Sequence, residues 1–180
     1  MARLVSNRYA SALIESGIEL GKVNEFKKEL EYIRDLFNEE KQALQLLSHP
    51  RISRKEKKDF ILSIFQGHIS QEMINFFYIL IDKNRERVFL EIAEEYENLY
   101  YEYENILKVK AITAMPMDNE AMDRLKAVLK EKFNKNIEIS NEIDNSILGG
   151  VLLKVGNKII DGTIKGQLEL MGKTIKGVSL

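Results

Sequence analysis

The chain has no cysteine among its 180 residues, which excludes disulfide bonds and thiolate sites. Long hydrophobic runs are also missing, because the longest strongly apolar stretch, residues 76–81, is far shorter than the roughly 20 residues of a membrane-spanning helix. The opening residues MARLVSNRYA lack the apolar core of a secretory signal. We therefore expect a protein that does not insert into a membrane by itself, and the absence of cysteine fits the cytoplasm.

Net charge is nearly absent as well, since 27 Lys/Arg against 28 Asp/Glu leave −1, which provides no general attraction to nucleic acid. The charges are unevenly placed along the chain. Residues 1–105 hold 15 basic and 19 acidic residues, a net −4, whereas residues 106–180 hold 12 and 9, a net +3. Because the hydrophobic periodicity changes at the same point, the sequence predicts two domains, residues 1–105 and 106–180.

Proline is scarce in the first domain, where Pro50 stands alone and the hydrophobic periodicity is helical throughout. Ser53 and Glu56 form a capping-box pattern, and Ser70 is a candidate cap for the next helix. That next helix is apolar in almost every direction, which is typical of a buried helix. The sequence predicts a bundle of about six helices, near Ser6–Ser16, Val23–Asn38, Lys41–Ser48, residues 54–66, Gln71–Asp82 and Arg87–Asn105.

The second domain mixes the two periodicities. Alternating apolar residues predict strands near residues 107–112 and 137–140, and a helix capped by Asp118 lies between them. Gly156-Asn157 predicts a tight hairpin between two further strands, because glycine adopts a positive φ without steric cost. A terminal helix follows, with an apolar stripe at helical spacing. We expect a small α+β module of short strands and two helices; the stripe comprises Ile164, Leu168, Met171 and Ile175.

No pattern in the chain predicts catalysis, a cofactor or a metal. Gly172-Lys173-Thr174 matches the end of a phosphate-binding loop, but the first glycine of that loop would fall at Gln167 and the triplet lies late in a helix. The two histidines, His49 and His68, lie in loop-like positions without metal-ligand spacing. We therefore expect no catalytic, cofactor-binding or metal-binding residues.

One motif near the C-terminus is long enough to be specific. It reads Ile143-Asp144-x-Ser146, then Gly149-Gly150-Val151, Lys154-x-Gly156, and Ile160-Asp161-Gly162-Thr163-Ile164-Lys165-Gly166-x-Leu168. This run resembles the C-terminal signature of the ATP synthase delta subunit family, whose mitochondrial members are called the oligomycin-sensitivity-conferring protein. Residues 8–13 and 80–85 resemble parts of that family's first and fifth helices. Lys165 and Gln167 stand where the family often has arginine.

The resemblance implies a non-catalytic stator subunit in the peripheral stalk of an F-type ATP synthase. Such a subunit links the N-terminal segment of an alpha subunit in the catalytic head to the C-terminal ends of the membrane-anchored b subunits. It also implies one copy per complex, at the cytoplasmic face of the cell membrane. A helical RNA-binding or transcription adaptor is the alternative, and it requires a clustered basic face that the net negative first domain does not favour. An enzyme ranks third.

The same resemblance implies two sets of binding residues. A groove between the first and fifth helices would receive the alpha segment, and the C-terminal module would receive the b subunits. For the groove the matching residues are Tyr9, Ala12, Leu13, Phe77, Leu80 and Ile81. For the stalk, the basic excess of the C-terminal module gives Lys154, Lys158 and Lys165.

A third set of residues is expected to be structural. The chain must turn from strand to helix within Asp161-Gly162-Thr163, where Asp161 or Thr163 can cap the new helix and Gly162 can adopt backbone angles closed to a bulky residue. Gly166 is expected to leave room where the helix passes the sheet. This structural corner comprises Gly150, Gly156, Asp161, Gly162, Thr163 and Gly166.

Overall fold

The structure is a computed structural model that describes residues 2–156 and 158–177, without the side chains of residues 2, 3, 170 and 172–177. The chain divides into two compact units, residues 1–100 and residues 101–180. Six α-helices belong wholly or mainly to the first unit, and a short 3₁₀ turn at Glu86–Val88 precedes the sixth. These helices are α1 Ala2–Leu20, α2 Val23–Glu39, α3 Lys41–Leu47, α4 Arg54–Phe65, α5 Gln71–Asp82 and α6 Phe89–Tyr103.

Helix α1 is longer than expected, because it continues through Gly17 to Leu20 instead of ending before the glycine. A Cβ at Gly17 would lie 3.3 Å from both Val23 and Phe26 of α2. Glycine at this position therefore brings α2 close to α1, a packing role that outweighs its cost of roughly 1 kcal/mol within a helix.

Side-chain caps fix the starts of several helices where the sequence predicts them. The hydroxyl of Ser53 accepts a hydrogen bond from the Glu56 backbone, and the Glu56 carboxylate accepts one in return from Ser53 N, at 2.8 Å. Ser70 accepts from Met73 N at the start of α5, and its own backbone N–H donates to the Glu29 carboxylate at 2.5 Å. Each cap satisfies backbone donors that a helix start leaves unpaired.

Four phenylalanine rings from four different helices form the centre of the bundle. Phe77 of α5 stacks on Phe89 of α6, with ring centroids 4.7 Å apart, and on Phe65 of α4, at 6.0 Å. Phe37 of α2 meets all three rings edge-on, at 5.6–6.3 Å. All four side chains are buried, and aromatic pairs with this geometry stabilise a core beyond the area they bury.

The second unit is a four-stranded sheet with two helices, α7 Asn119–Phe133 and α8 Ile164–Gly177. The strand order is β2-β1-β3-β4, and β1 pairs parallel to β2 and antiparallel to β3. The strands are β1 Ile106–Thr113, β2 Asn136–Ile143, β3 Gly150–Val155 and β4 Lys158–Thr163. A helical bundle followed by a small α+β module confirms the predicted fold class.

One face of this sheet carries the core of the second unit. Alternate residues of β1 and β3, including Val109, Ala111 and Leu153, are buried against Leu129 of α7. Asp118 caps α7 by accepting a hydrogen bond from Ala121 N at 2.7 Å. The β3–β4 hairpin has Gly156 at φ +54°, while Asn157, the second residue of the predicted turn, lies outside the described residues.

Replacing Phe77 by alanine should destabilise the bundle by about 3–5 kcal/mol, because a fully buried ring that contacts three other aromatic rings is lost. Ile79→Ala, two residues along the same helix, should cost less than about 1 kcal/mol since its side chain is 50% exposed. Urea unfolding of the full chain, followed by far-UV circular dichroism, measures both. Equal losses for the two variants would contradict this account of the core.

Candidate partner-binding site

A groove lies between α1 and α5 on the first unit, with a cavity of about 360 Å³. Tyr9 and Phe76 meet edge-on within it, their ring centroids 6.4 Å apart. Ala12 and Ser16 are small and exposed, so another chain can come close to the backbone of α1 at this face. The side chains that line the groove are Tyr9, Ala12, Leu13, Ser16 and Leu20 of α1, Phe26 of α2, and Glu72, Asn75, Phe76 and Ile79 of α5.

The structure brings together only half of the groove residues that the resemblance implied. Tyr9, Ala12 and Leu13 line the groove. On α5, however, the other three side chains are all 0% exposed and do not line it; these are Phe77, Leu80 and Ile81. Successive residues of a helix point about 100° apart, so a shift of one position exchanges the groove face for the core face.

The α5 residues that do line the groove could have been found from their spacing. Glu72, Asn75 and Ile79 follow one another at intervals of three and four, and two of them are polar residues in a helix that is mostly apolar. The expectation that α5 is buried on all sides is corrected accordingly. Ile79 is half exposed and Asn75 is exposed, so one strip of α5 faces out of the bundle.

One end of the groove carries an ion pair. Lys22 donates to the Glu72 carboxylate at 2.9 Å. This hydrogen bond lowers the pKa of the Glu72 carboxyl and raises the pKa of the Lys22 ammonium. Both groups are therefore charged at neutral pH, and Glu72 places a charge at the end of a mostly apolar groove.

A second open apolar surface lies on α8. Three residues of the predicted stripe are 49%, 59% and 61% exposed, namely Ile164, Leu168 and Met171. The side chain of Ile175, the fourth, lies outside the described part of the chain. The stripe thus does not face the module's own core, and an exposed row of large apolar side chains is typical of a protein-binding surface.

The three lysines implied for stalk binding are all exposed, but the structure does not gather them on one surface. Lys154 of β3 pairs with Lys110 of β1, on the face opposite the core. Lys158 of β4 pairs with Val155, so it lies on the other face of the sheet. Lys165 lies on α8.

The structural corner is tighter than expected, because α8 begins at the residue directly after β4. Thr163 Oγ1 accepts a hydrogen bond from Gly166 N at 3.0 Å and so caps α8. Asp161 Oδ1 accepts from Thr163 N at 2.8 Å, and hydrogen bonding with Thr163 lowers the pKa of the Asp161 carboxyl. Asp161 and Thr163 thus share the capping of this junction.

Gly162 acts differently from the expectation, whereas Gly166 leaves room where the helix passes the sheet, as expected. Gly162 lies within β4 without a positive φ, and its constraint is space, since a Cβ would lie 3.0 Å from the carbonyl oxygen of Val151. A Cβ at Gly166 would lie 2.6 Å from the Asp161 carboxylate. Gly150 is the most constrained, because its φ is +83° and a Cβ would collide with the carbonyl oxygen of Gly162.

Within the described residues, no group of three or more His, Cys, Asp or Glu side chains is arranged to hold a metal ion. Gly172-Lys173-Thr174 lies inside α8, as expected, and not at the start of a helix after a strand. No helix in the described ranges is both long and apolar enough to cross a membrane.

A helical bundle with an open apolar groove, joined to a small sheet module with an exposed amphipathic helix, defines a protein that binds other proteins. Comparison with known families narrows this class. Residues 5–175 match the family model described as ATP synthase delta (OSCP) subunit. The chain is 42% identical to the ATP synthase subunit delta of Alkaliphilus oremlandii, over 99% of both chains. It is 39% identical to that of Clostridium beijerinckii, over 95% of this chain and 96% of the relative.

The chain therefore belongs to the ATP synthase delta (OSCP) subunit family, as the C-terminal motif predicts, and a peripheral-stalk role in ATP synthase follows from that membership. A solved structure agrees on the fold. A chain of the mitochondrial ATP synthase hexamer of Toxoplasma gondii superposes with a TM-score of 0.72 at 15% identity, covering 94% of this chain and 96% of that one.

Gly150→Ala should destabilise the second unit by more than about 2 kcal/mol, because it combines a left-handed backbone with a steric collision. Gly156→Ala is the matched control. It also has a positive φ, but nothing lies within 4 Å of its Cβ position, so only the backbone cost of about 1–2 kcal/mol applies. Hydrogen exchange of the β1–β4 amides measures both, and a Gly150→Ala protein as stable as Gly156→Ala would contradict the assignment.

Proposed function

We propose that this chain is a non-catalytic stator subunit that ties the catalytic head of an F-type ATP synthase to its membrane-anchored peripheral stalk. The single observation that carries this proposal is the open apolar groove between α1 and α5 in a member of this family. A stator must bind two partners firmly at separate places, so that the head stays still while the central rotor turns.

The groove suits an amphipathic helix, and we assign it to the N-terminal segment of an alpha subunit. On each of its two main helices the lining includes apolar residues three positions apart, Tyr9 and Ala12 on α1 and Phe76 and Ile79 on α5, which matches the spacing of the anchors that a docked helix presents. A cavity of about 360 Å³ holds a few side chains and not a whole helix. The partner helix therefore lies along the rim and inserts its apolar side chains between Tyr9, Phe76 and Ile79.

Ala12→Asp should weaken binding of an alpha N-terminal peptide at least about 30-fold, because a carboxylate without a partner would be buried under the docked helix, at a cost above about 2 kcal/mol. Isothermal titration calorimetry with the full chain measures the affinity. Ile18→Asp is the control, since it adds the same charge to α1 at a 45% exposed position outside the groove. If Ala12→Asp binds like the unaltered protein, the groove assignment fails.

The C-terminal module is assigned to the C-terminal ends of the b subunits. Two features support this assignment, the exposed apolar stripe of α8 and the exposed lysines Lys154, Lys158 and Lys165. The stripe offers apolar area, which contributes affinity. Exposed lysines that lie apart contribute long-range attraction to an acidic partner more than affinity.

Replacing Lys154, Lys158 and Lys165 by glutamine should lower the association rate with a b-subunit fragment by about tenfold at low salt and flatten its salt dependence. Leu168→Asp should instead raise the dissociation rate, because it removes an apolar anchor. The control replaces Lys126, Lys130 and Lys132, three exposed lysines of α7, by glutamine. Stopped-flow kinetics across a salt series measures both rate constants for each variant. An association rate that does not change with salt would refute the proposal that these lysines steer association.

The two binding functions are assigned to the two predicted domains, residues 1–105 and 106–180. We further propose one copy of the subunit per complex, at the cytoplasmic face of the cell membrane, held there by its partners. The described residues carry no constellation that would perform ATP chemistry, which fits a subunit whose complex holds its catalytic sites elsewhere.

A further inference from the structure

A cleft of about 490 Å³ lies on the first unit between two loops, one joining α3 to α4 and the other joining α5 to the turn before α6. Four cationic side chains line it, Arg54, Lys57, Arg85 and Arg87, against one carboxylate, Glu86. This local excess of positive charge occurs in a domain whose net charge is −4 over residues 1–105. None of its lining residues belongs to the α1/α5 groove.

Little of this positive charge is neutralised within the protein. Lys57 and Glu86 form an ion pair and are only 6% and 4% exposed, so they compensate one another. Arg87 donates from Nη2 and Nε to the Ser48 carbonyl oxygen, at 2.8 and 3.3 Å, which leaves its charge unopposed. Arg54 and Arg85 are exposed and form no ion pair with any carboxylate in the described ranges.

The cleft also has an apolar side, made by Pro50, Ile52 and Val88. Guanidinium groups bind carboxylates and phosphates in a forked geometry, so charge alone does not separate a protein ligand from a nucleic acid. The residues that line the cleft favour a protein ligand over a nucleic acid. Single-stranded nucleic acid sites combine cations with aromatic platforms, and none of the residues that line this cleft is aromatic.

The net negative charge of the surrounding domain also favours a protein ligand over a nucleic acid. A long polyanion would extend beyond the cleft and meet the acidic remainder of the bundle. A short acidic segment would confine its charge to the cleft. We propose that this cleft binds a short carboxylate-rich segment of a partner protein. Arg54 and Arg85 bind the carboxylates of this segment, and a neighbouring apolar side chain of the same segment packs on Ile52 and Val88.

The test uses the full chain and a fluorescein-labelled peptide, Glu-Glu-Leu-Glu-Glu, with fluorescence anisotropy as the readout. The peptide should bind, and the same peptide with glutamine in place of each glutamate should not. The double variant Arg54→Gln/Arg85→Gln should weaken binding at least about tenfold, since two charge-assisted hydrogen-bonding groups are lost. The double variant Lys55→Gln/Lys83→Gln removes the same charge from exposed positions outside the cleft and should change binding less than about twofold.

Three results would overturn the proposal. The first is absence of peptide binding at millimolar concentration. The second is an equal loss in both double variants, which would mean general charge attraction. The third is tighter binding of single-stranded RNA with the same dependence on Arg54 and Arg85, which would make the cleft a nucleic-acid site. Ala12→Asp should leave peptide binding unchanged, so a failure of the groove assignment stays distinguishable from a failure here.

Discussion

The stacking of Phe77 between Phe65 and Phe89 sets the orientation of α5, and the groove of the first unit depends on that orientation. Rings from α4 and α6 hold Phe77 from two sides and the ring of Phe37 from α2 meets it edge-on, so α5 cannot rotate without breaking several buried contacts. Once Phe77 points inward, the helical repeat directs Ile79 and Asn75 outward. The same packing that stabilises the bundle thus leaves one strip of α5 available to a partner.

The opposite wall of the groove is set by small side chains. Gly17 lets α2 pack closely against the side of α1 that faces the bundle. On the side that faces the groove, the small side chains of Ala12 and Ser16 project little from the helix. The floor and walls therefore rest on packed helices and not on loops. Because the groove is formed before binding, no conformational entropy is lost in ordering it when the partner docks. A modest contact area can therefore give a useful affinity.

Much of this fold could be predicted from the sequence, because its signals are local. The capping box at Ser53, the cap at Asp118 and the alternation along β1 each depend on residues within one element. The groove face of α5 has a weaker local signal, the spacing of Glu72, Asn75 and Ile79. The apolar residues give no such signal, because the helix is apolar almost all round, and the rings of the other helices decide that Phe77 faces the centre of the core.

The basic cleft could not be predicted from the sequence, for a related reason. Arg54 and Arg85 are far apart in the chain, and only the packing of α4 against α5 brings their loops to one cleft. A net charge counted over the whole domain conceals such a cluster, because acidic residues on α2 and α6 outweigh it. A basic cleft therefore lies within a domain that is acidic as a whole.

The junction between β4 and α8 bears on how a stator subunit can transmit force. With no residue between strand and helix, the direction of α8 is set by hydrogen bonds at Asp161 and Thr163 and by the close approach of Gly166. A longer loop would let the helix swing under load. Because its first turn is fixed to the sheet, the exposed apolar stripe of α8 keeps a constant direction relative to the core of its module. A partner bound to that stripe would therefore pull on the folded sheet and not on a flexible linker, which is the mechanical property that a peripheral stalk requires.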